Sequence, residues 1–375
     1  MNRKFWLAGL GLATVLVCLY LGLTPKTAIA TQPAVQLQTE PSLNRVVPVT
    51  TPVKFTLQAL QANGKPVTDA ALRIHLAAPA PTPWLTTDFP QVEGTSLLEL
   101  EADAPNGMVQ FQQILPIRGA YDLSVEVIPR ITAAFAPFTT SLSFAIPENP
   151  VKYQNLTILL GILGVTGVGS GWLLGTKQVA RPGELAPQPV RLLLSGAIVV
   201  AIAALLYVNL KAEKASAHPS EHHGATVQQS ANPAVSTPTV QLKITGDQQA
   251  TVGRLATQIV QVSQPANKTQ AVTVAVQAIT LEDNTVVFAY RGSPDHNGQL
   301  TWQEQFFDGA PHQVTAEIIE VAGKLPSEPL KVSQQIEVQG IKPPLSVRLI
   351  SLTYFTAAFT LALLIGFWGR CWQGK

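Results

Sequence analysis

The sequence predicts two immunoglobulin-like all-β sandwiches, related by internal duplication and combined with transmembrane α-helices. Three observations carry that expectation. The 375 residues are 46% apolar and only 13% charged, with a mean hydropathy of +0.22. Soluble domains carry about 25% charged residues and disordered tails more, so apolar runs able to cross a bilayer account for the excess. Much of the remaining chain alternates polar and apolar residues in short runs broken by Asn-Gly, Pro and Asp, the period of half-buried strands. Two of these β-like segments share a motif at constant spacing.

The overall balance narrows the function classes. Net charge is 25 − 23 = +2, so no bulk field favours nucleic acid, and none is expected as a partner. The two cysteines, Cys18 and Cys371, lie at opposite ends of the chain in or beside apolar runs. A disulfide framework is therefore excluded.

Residues 1–30 read as a signal peptide or an N-terminal anchor. Arg3 and Lys4 precede the apolar run Phe5–Leu23, and Ala28-Ile29-Ala30 supplies an A-x-A exit. The run is longer than the usual core of about 7–15 residues, so both cleavage and retention fit. Transmembrane helices are expected over 155–175, 192–210 and 349–369, each near the ~20 residues that cross the hydrocarbon. The last ends in Phe367 and Trp368 with Trp372 beyond, as an interfacial belt would.

Orientation follows from the basic residues. The loop 176–191 carries Lys177, Arg181 and Arg191 against Glu184, and the tail 370–375 carries Arg370 and Lys375. With Arg3 and Lys4 the inside total is seven basic to one acidic, leaving 25 − 7 = 18 basic and 23 − 1 = 22 acidic outside. The asymmetry obeys the positive-inside rule. It predicts a multi-pass protein of the plasma (inner) membrane, with the lipid bilayer and other membrane or envelope proteins as partners and both β segments extracytoplasmic.

The first β segment spans 31–150. Val53, Phe55 and Leu57 share one face, as do Leu72, Ile74 and Leu76, and further runs start at Leu97, Met108, Tyr121 and Thr139. Asn63-Gly64 and Asn106-Gly107 are the sharpest turn signals. The second segment, 239–345, has strand starts near Val240, Thr257, Val272, Thr285, Gln299, His312 and Leu330. Seven short strands in such a length suit an immunoglobulin-like sandwich.

The segments also match each other. Asn106-Gly-Met-Val-Gln-Phe-Gln followed by Tyr121-Asp-Leu-Ser-Val-Glu-Val aligns with Asn297-Gly-Gln-Leu-Thr-Trp-Gln followed by His312-Gln-Val-Thr-Ala-Glu-Ile, at an offset of 191 without a gap. Tyr121 has the setting of a tyrosine corner, in which a buried hydroxyl bonds nearby backbone. His312 takes its place in the second segment and points inward by parity.

Gln61-Ala-Asn-Gly-Lys-Pro-Val-Thr-Asp-Ala-Ala-Leu-Arg-Ile resembles the opening hairpin of YtkA-like domains, immunoglobulin-like relatives of the CopC copper-binding proteins. Phe307-Asp-Gly-Ala-Pro-His-Gln-Val is similar to their later Gly-Tyr or Gly-His strand. The resemblance implies sandwiches on the outer face of a membrane near metal-handling systems. It transfers no metal ligand.

The candidate metal ligands come from the residues themselves. His218-Pro-Ser-Glu221-His222-His223, in the linker 211–238, places three imidazoles and a carboxylate within six residues, a set suited to Cu²⁺, Zn²⁺ or Ni²⁺. Its Ala, Ser, Gln and Pro composition is equally that of a solvated linker. His296, after Asp295 in a turn-forming stretch, could share the site. His312 reads as a core residue and His75 as solvent-facing.

Gly167, Gly171 and Gly175 form a small-xxx-small face, with Ala197 and Ala201 of the next run as a possible opposing surface. No G-x-S-x-G, P-loop, H-E-x-x-H or C-x-x-C motif occurs. The chain is accordingly expected not to be an enzyme. Two functions remain: an accessory in divalent-metal handling, or a structural or interaction module of the envelope.

Overall fold

The computed structural model describes residues 33–82, 87–130, 135–175, 234–236, 240–264, 271–295, 297–321 and 330–373. Before the first helix come β1 (Ala34–Glu40), β2 (Pro52–Leu60), β3 (Ala70–Ala77), β4 (Ser96–Ala104), β5 (Met108–Ile114), β6 (Gly119–Pro129) and β7 (Phe138–Ile146). After it come β8 (Ala234–Ser236), β9 (Gln241–Gly246), β10 (Gln249–Thr251), β11 (Leu255–Ser263), β12 (Val272–Thr280), β13 (Val286–Gly292), β14 (Gln299–Gln305), β15 (His312–Val321) and β16 (Leu330–Gln339). Two helices complete the description, α1 (Pro150–Leu174) and α2 (Leu345–Gln373).

The period-2 pattern is what builds the sheets. In β2, Val53, Phe55, Leu57 and Ala59 are buried while Lys54, Thr56 and Gln58 alternate away from them. Burying each such side chain is worth roughly 1.5–3 kcal/mol, and a one-residue slip would expose the whole set. The inner faces form one hydrophobic core that runs through both halves. Phe55 stacks on Phe111 at 4.9 Å in the first half, and Phe288 on Trp302 at 5.9 Å in the second.

The strands form two sheets of eight, ordered β1-β2-β5-β13-β12-β15-β16-β10 and β7-β6-β3-β4-β14-β11-β9-β8. Each sheet therefore runs through both halves of the chain. Within the first half the partial orders are β1-β2-β5 and β7-β6-β3-β4. Within the second they are β9-β11-β14 and β16-β15-β12-β13, the same connectivity repeated. The halves meet along two seams. Gln112 of β5 lies opposite Ala289 of β13, and Glu99 of β4 lies opposite Gln303 of β14. The three-stranded layer of each half thus continues into the four-stranded layer of the other.

The Asn-Gly turns also correspond. Gly107 and Gly298 both have positive φ, 66° and 72°. Each carbonyl accepts from the neighbouring strand, from Ala59 N–H and from Val262 N–H, both at 2.8 Å. A β-carbon would collide with the Val67 carbonyl at the first and with the Val262 carbonyl at the second, so glycine is required twice over.

α1 follows β7 directly. Asn149 caps it by accepting from Val151 N–H at 3.0 Å, and Pro150 opens the first turn, where its missing N–H costs nothing. α2 follows β16. Both are long and apolar enough to cross a membrane. Inside them Thr157, Thr166, Thr353 and Thr360 each donate to the carbonyl four residues back, which satisfies these four hydroxyls within the helix.

The helices leave the same end of the β body, run in the same direction and pack together. Gly167 meets Ala362 and the Phe359 carbonyl, Gly171 the Leu363 carbonyl, and Gly175 the Arg370 side chain. The glycine face expected from the sequence is therefore occupied by α2. Ala197 and Ala201, the opposing surface suggested by spacing, lie outside the described residues. The Arg370 guanidinium sits 5.3 Å from the centre of the Trp172 ring at the far end of the pair.

Candidate functional site

Strand direction sorts the residues by height. Ile146 of β7 and Gln339 of β16 lie at the helix end, so Ala104 of β4, Pro129 of β6 and Gln299 of β14 lie at the far end. There, over the β4–β14 seam, opens a cleft of about 350 Å³, lined by Ala71, Glu101, Asp103, Arg130, Ser293, Asp295, Gln299, Leu300 and Thr301.

The cleft is built by cross-strand neighbours. Asp103 on β4 pairs with Ala71 on β3 and forms an ion pair with Arg130 at the end of β6. Glu101, two residues back on the same face, receives Arg73 at 3.2 Å, and the same guanidinium reaches Glu126 at 2.9 Å. The second half supplies Asp295, whose carboxylate accepts from the N–H groups of Asn297 (2.9 Å) and Gln299 (2.7 Å). Burial raises the pKa of Asp103; Arg130 opposes the rise, while Asp295 and Glu101 add to it.

Below the seams the core holds polar groups. Glu304 of β14 is fully buried, and neither carboxylate oxygen has a hydrogen-bond partner among the described residues. Burial pushes its pKa up to about 8, only partly opposed by the nearby Trp302 indole. Gln113 of β5 stands 304 − 113 = 191 residues earlier, at the equivalent seam position, and is also buried, its side-chain oxygen without a partner among the described residues.

At the helix end, His312 is completely buried, as parity predicted. Its Nδ1 lies 2.8 Å from the Ala310 carbonyl, and its Nε2 lies 3.6 Å from Asp308. Burial lowers the His312 pKa and raises that of Asp308, so both are driven toward their neutral forms. Tyr121, at the matching place in the first half, accepts from Ile117 N–H at 3.1 Å and donates to the Ile117 carbonyl, closing a tyrosine corner. His75 lies 2.7 Å from the Ser96 hydroxyl and 3.9 Å from Glu99, with 43% of its side chain exposed.

The predicted metal ligands His218, Glu221, His222, His223 and His296 all lie outside the described residues. Among the described residues no group of three or more His, Cys, Asp or Glu is arranged to hold a metal ion. Sequence reasoning missed the cleft because its walls come from residues nearly two hundred positions apart. Glu304 had a signal: it alternates in phase with Leu300 and Trp302, so parity points it inward.

No protein-family model matches the chain, and no curated protein matches it. Among solved structures, a cohesin module from a Clostridium perfringens family 33 glycoside hydrolase is 9% identical with a TM-score of 0.19, covering 30% of this chain and all of that one. Trypsin-activated alpha-2-macroglobulin from Escherichia coli is 10% identical with a TM-score of 0.22, covering 82% of this chain and 16% of that one. A mutant of Salmonella alpha-2-macroglobulin is 11% identical with a TM-score of 0.23, again over 82% of this chain and 16% of the other.

Proposed function

We propose that the chain is a non-catalytic binding protein of the plasma membrane, holding a duplicated pair of immunoglobulin-like units outside the cytoplasm for an envelope partner. One observation carries the reading: both halves share two sheets, so they form a single body from whose one end α1 and α2 leave in parallel. A body knitted in this way keeps both halves on one side of the bilayer. The chain departs through α1 and rejoins the body at β8, so the stretch between must cross back. The apolar run 192–210 has the length for that crossing. Lys177, Arg181, Arg191, Arg370 and Lys375 then lie in the cytoplasm. The cleft faces away from the bilayer, where a partner can reach it.

The repeated strand connectivity, the paired Gly107 and Gly298 turns and the offset of 191 support the duplication. The topology is tested by a reporter active only in the cytosol, fused at 185, and one active only outside, fused at 230. Activity of the cytosolic reporter when moved to 230 would overturn it.

One observation favours a second reading, divalent-metal handling by His218, Glu221, His222, His223 and His296: Asp295, immediately before His296, lines the cleft. Zn²⁺ and Cu²⁺ titration of the full chain should then give binding that is lost on changing these histidines to Ala and that weakens from about pH 7 to pH 5, as imidazoles protonate. Histidine-independent binding would remove it.

A further inference from the structure

Each sheet has two outer edges, and the two halves of the chain treat theirs differently. In the second half both outer strands carry an added strand: β10 pairs with 337–339 of β16, and β8 with 241–243 of β9. Their counterparts in the first half, β7 and β1, pair only with β6 and β2 among the described residues. β7 corresponds to β16 because Phe138 lies opposite Val127 of β6 as Leu330 lies opposite Ile318 of β15, and 318 − 127 = 191.

An edge strand presents a row of backbone N–H and C=O groups, and natural edges are blunted by charge, proline or shortness. β16 carries Lys331 and Glu337. β1 ends in Glu40 and lies between Pro33 and Pro41. β7 has none of these devices: its nine residues contain neither charge nor proline, and 131–146 holds no charged residue at all. Thr139, Ser141, Ser143 and Ala145 are exposed on its outer face, while Phe138 and Leu142 on the inner face are only partly buried against the core. The turn Leu43–Arg45, which follows β1 at the helix end, lies against β7. Phe144 and Ile146 are buried at that end, so the open stretch is 138–143.

We propose, on the reading of the body as an extracytoplasmic binding module, that β7 receives an extended segment of a second polypeptide as a further strand of its sheet. A row of backbone donors and acceptors is complemented by another backbone. The corresponding edge of the second half is closed in that way, by the short parallel strand β10. On the longer open stretch of β7 the added strand runs antiparallel, the more stable pairing, and so away from the bilayer. Its outer side chains are hydroxyls or other short groups, which pair well across strands with Thr139, Ser141 and Ser143. Its inner side chains are aliphatic and cover Phe138 and Leu142. It is uncharged, since β7 has no charge to set against one.

The β7 strand of a second copy does not fit. β7 leads straight into α1, so two β7 strands paired antiparallel would send their helices to opposite ends, whereas one bilayer takes them all at the same end. A two-fold axis normal to the bilayer would instead set the strands parallel with like groups at equal height, N–H against N–H. Neither arrangement makes a ladder within one membrane, which leaves a different polypeptide as the occupant.

The test uses the full chain in detergent micelles, titrated calorimetrically with a blocked heptapeptide, Thr-Val-Thr-Val-Thr-Val-Thr. It should bind at least tenfold more tightly than the same sequence N-methylated at every residue, which keeps the side chains and loses the strand donors. Amide hydrogen exchange should slow in 138–143 on adding the peptide and stay unchanged in β1 and β16. Ser141→Lys combined with Ser143→Lys, both at exposed positions, should weaken the peptide severalfold without moving the thermal midpoint of the free chain. Equal affinity for the two peptides, or none for either, overturns the proposal, as does protection that falls on β1 or β16 instead. Protection of 138–143 that rises with chain concentration in the absence of peptide puts a second copy on β7 and overturns the assignment to a different polypeptide. The reporter fusions judge the binding-module reading separately.

Discussion

Gly171 and Gly366 occupy reciprocal positions in the helix pair: a β-carbon on the first would overlap the Leu363 carbonyl oxygen, and one on the second the Val168 carbonyl oxygen. Both pairs obey one spacing, 366 − 171 = 363 − 168 = 195. The helices are therefore related by a local two-fold, like the sheets above them, and each carbonyl sits where the other helix has no side chain.

Gly171→Val and Gly366→Val should each force the helices apart, costing about 1–3 kcal/mol by overpacking. Gly161→Val is the control, since nothing lies within 4 Å of that position. A chain with Cys18 and Cys371 changed to Ser, and cysteines placed at Gly175 and Arg370, should crosslink, because β-carbons at 175 and 370 would be close neighbours. Crosslinking should fall in both valine variants and persist in the control. Unchanged crosslinking with Gly171→Val would mean that the helices do not pair through this face.

Tyr121→Phe removes the hydroxyl that both accepts from and donates to Ile117. Two buried backbone groups are left unpaired, at about 1–3 kcal/mol in all. Denaturant unfolding should show a lower midpoint with an unchanged slope. A variant as stable as the parent would show the corner to be decorative.

Glu304 gives an alkaline-side dependence. Its folded pKa, about 8, lies above the ordinary carboxyl value of 4.5, so the native state holds a proton that the unfolded chain releases. Stability is then full below about pH 4.5 and is lost as pH rises toward 8, by roughly 3 kcal/mol at pH 7. Glu304→Gln, which cannot ionise, should raise the thermal midpoint at pH 7–8 and converge on the parent near pH 4. A variant less stable than the parent at pH 8 would contradict this.

His312 works in the opposite sense. Burial depresses its pKa below 6.5, with Asp308, Asp283 and Glu282 opposing that shift. The unfolded chain therefore takes up the proton first, and the stability His312 contributes is present above pH 6.5 and lost as pH falls below it. His312→Phe should flatten the acid limb of the stability profile between pH 6.5 and 5. An acid limb identical to the parent's would place the titration elsewhere.

Local pattern was enough to read most strands and both described helices, though not β1 or the short β8 and β10. The expected strand starts at Leu97, Met108, Tyr121, Thr139, Thr257, Val272, Gln299, His312 and Leu330 all lie on strands or within a residue of one, because alternation records which side of a sheet faces the core. The inward turn of His312, the corner at Tyr121 and the small-residue face of α1 were legible for the same reason: each is a matter of neighbours in sequence. What alternation does not record is which edge meets which. Pairing β5 with β13 and β4 with β14 is decided by edge backbone groups and by side chains nearly two hundred residues apart. That pairing alone makes one body of two segments, buries Glu304 and brings Asp103 and Asp295 to a common cleft. The meeting of Gly171 with the Leu363 carbonyl of α2 belongs to the same class. Close packing selects among several small-residue faces only when the whole body has set where each helix begins.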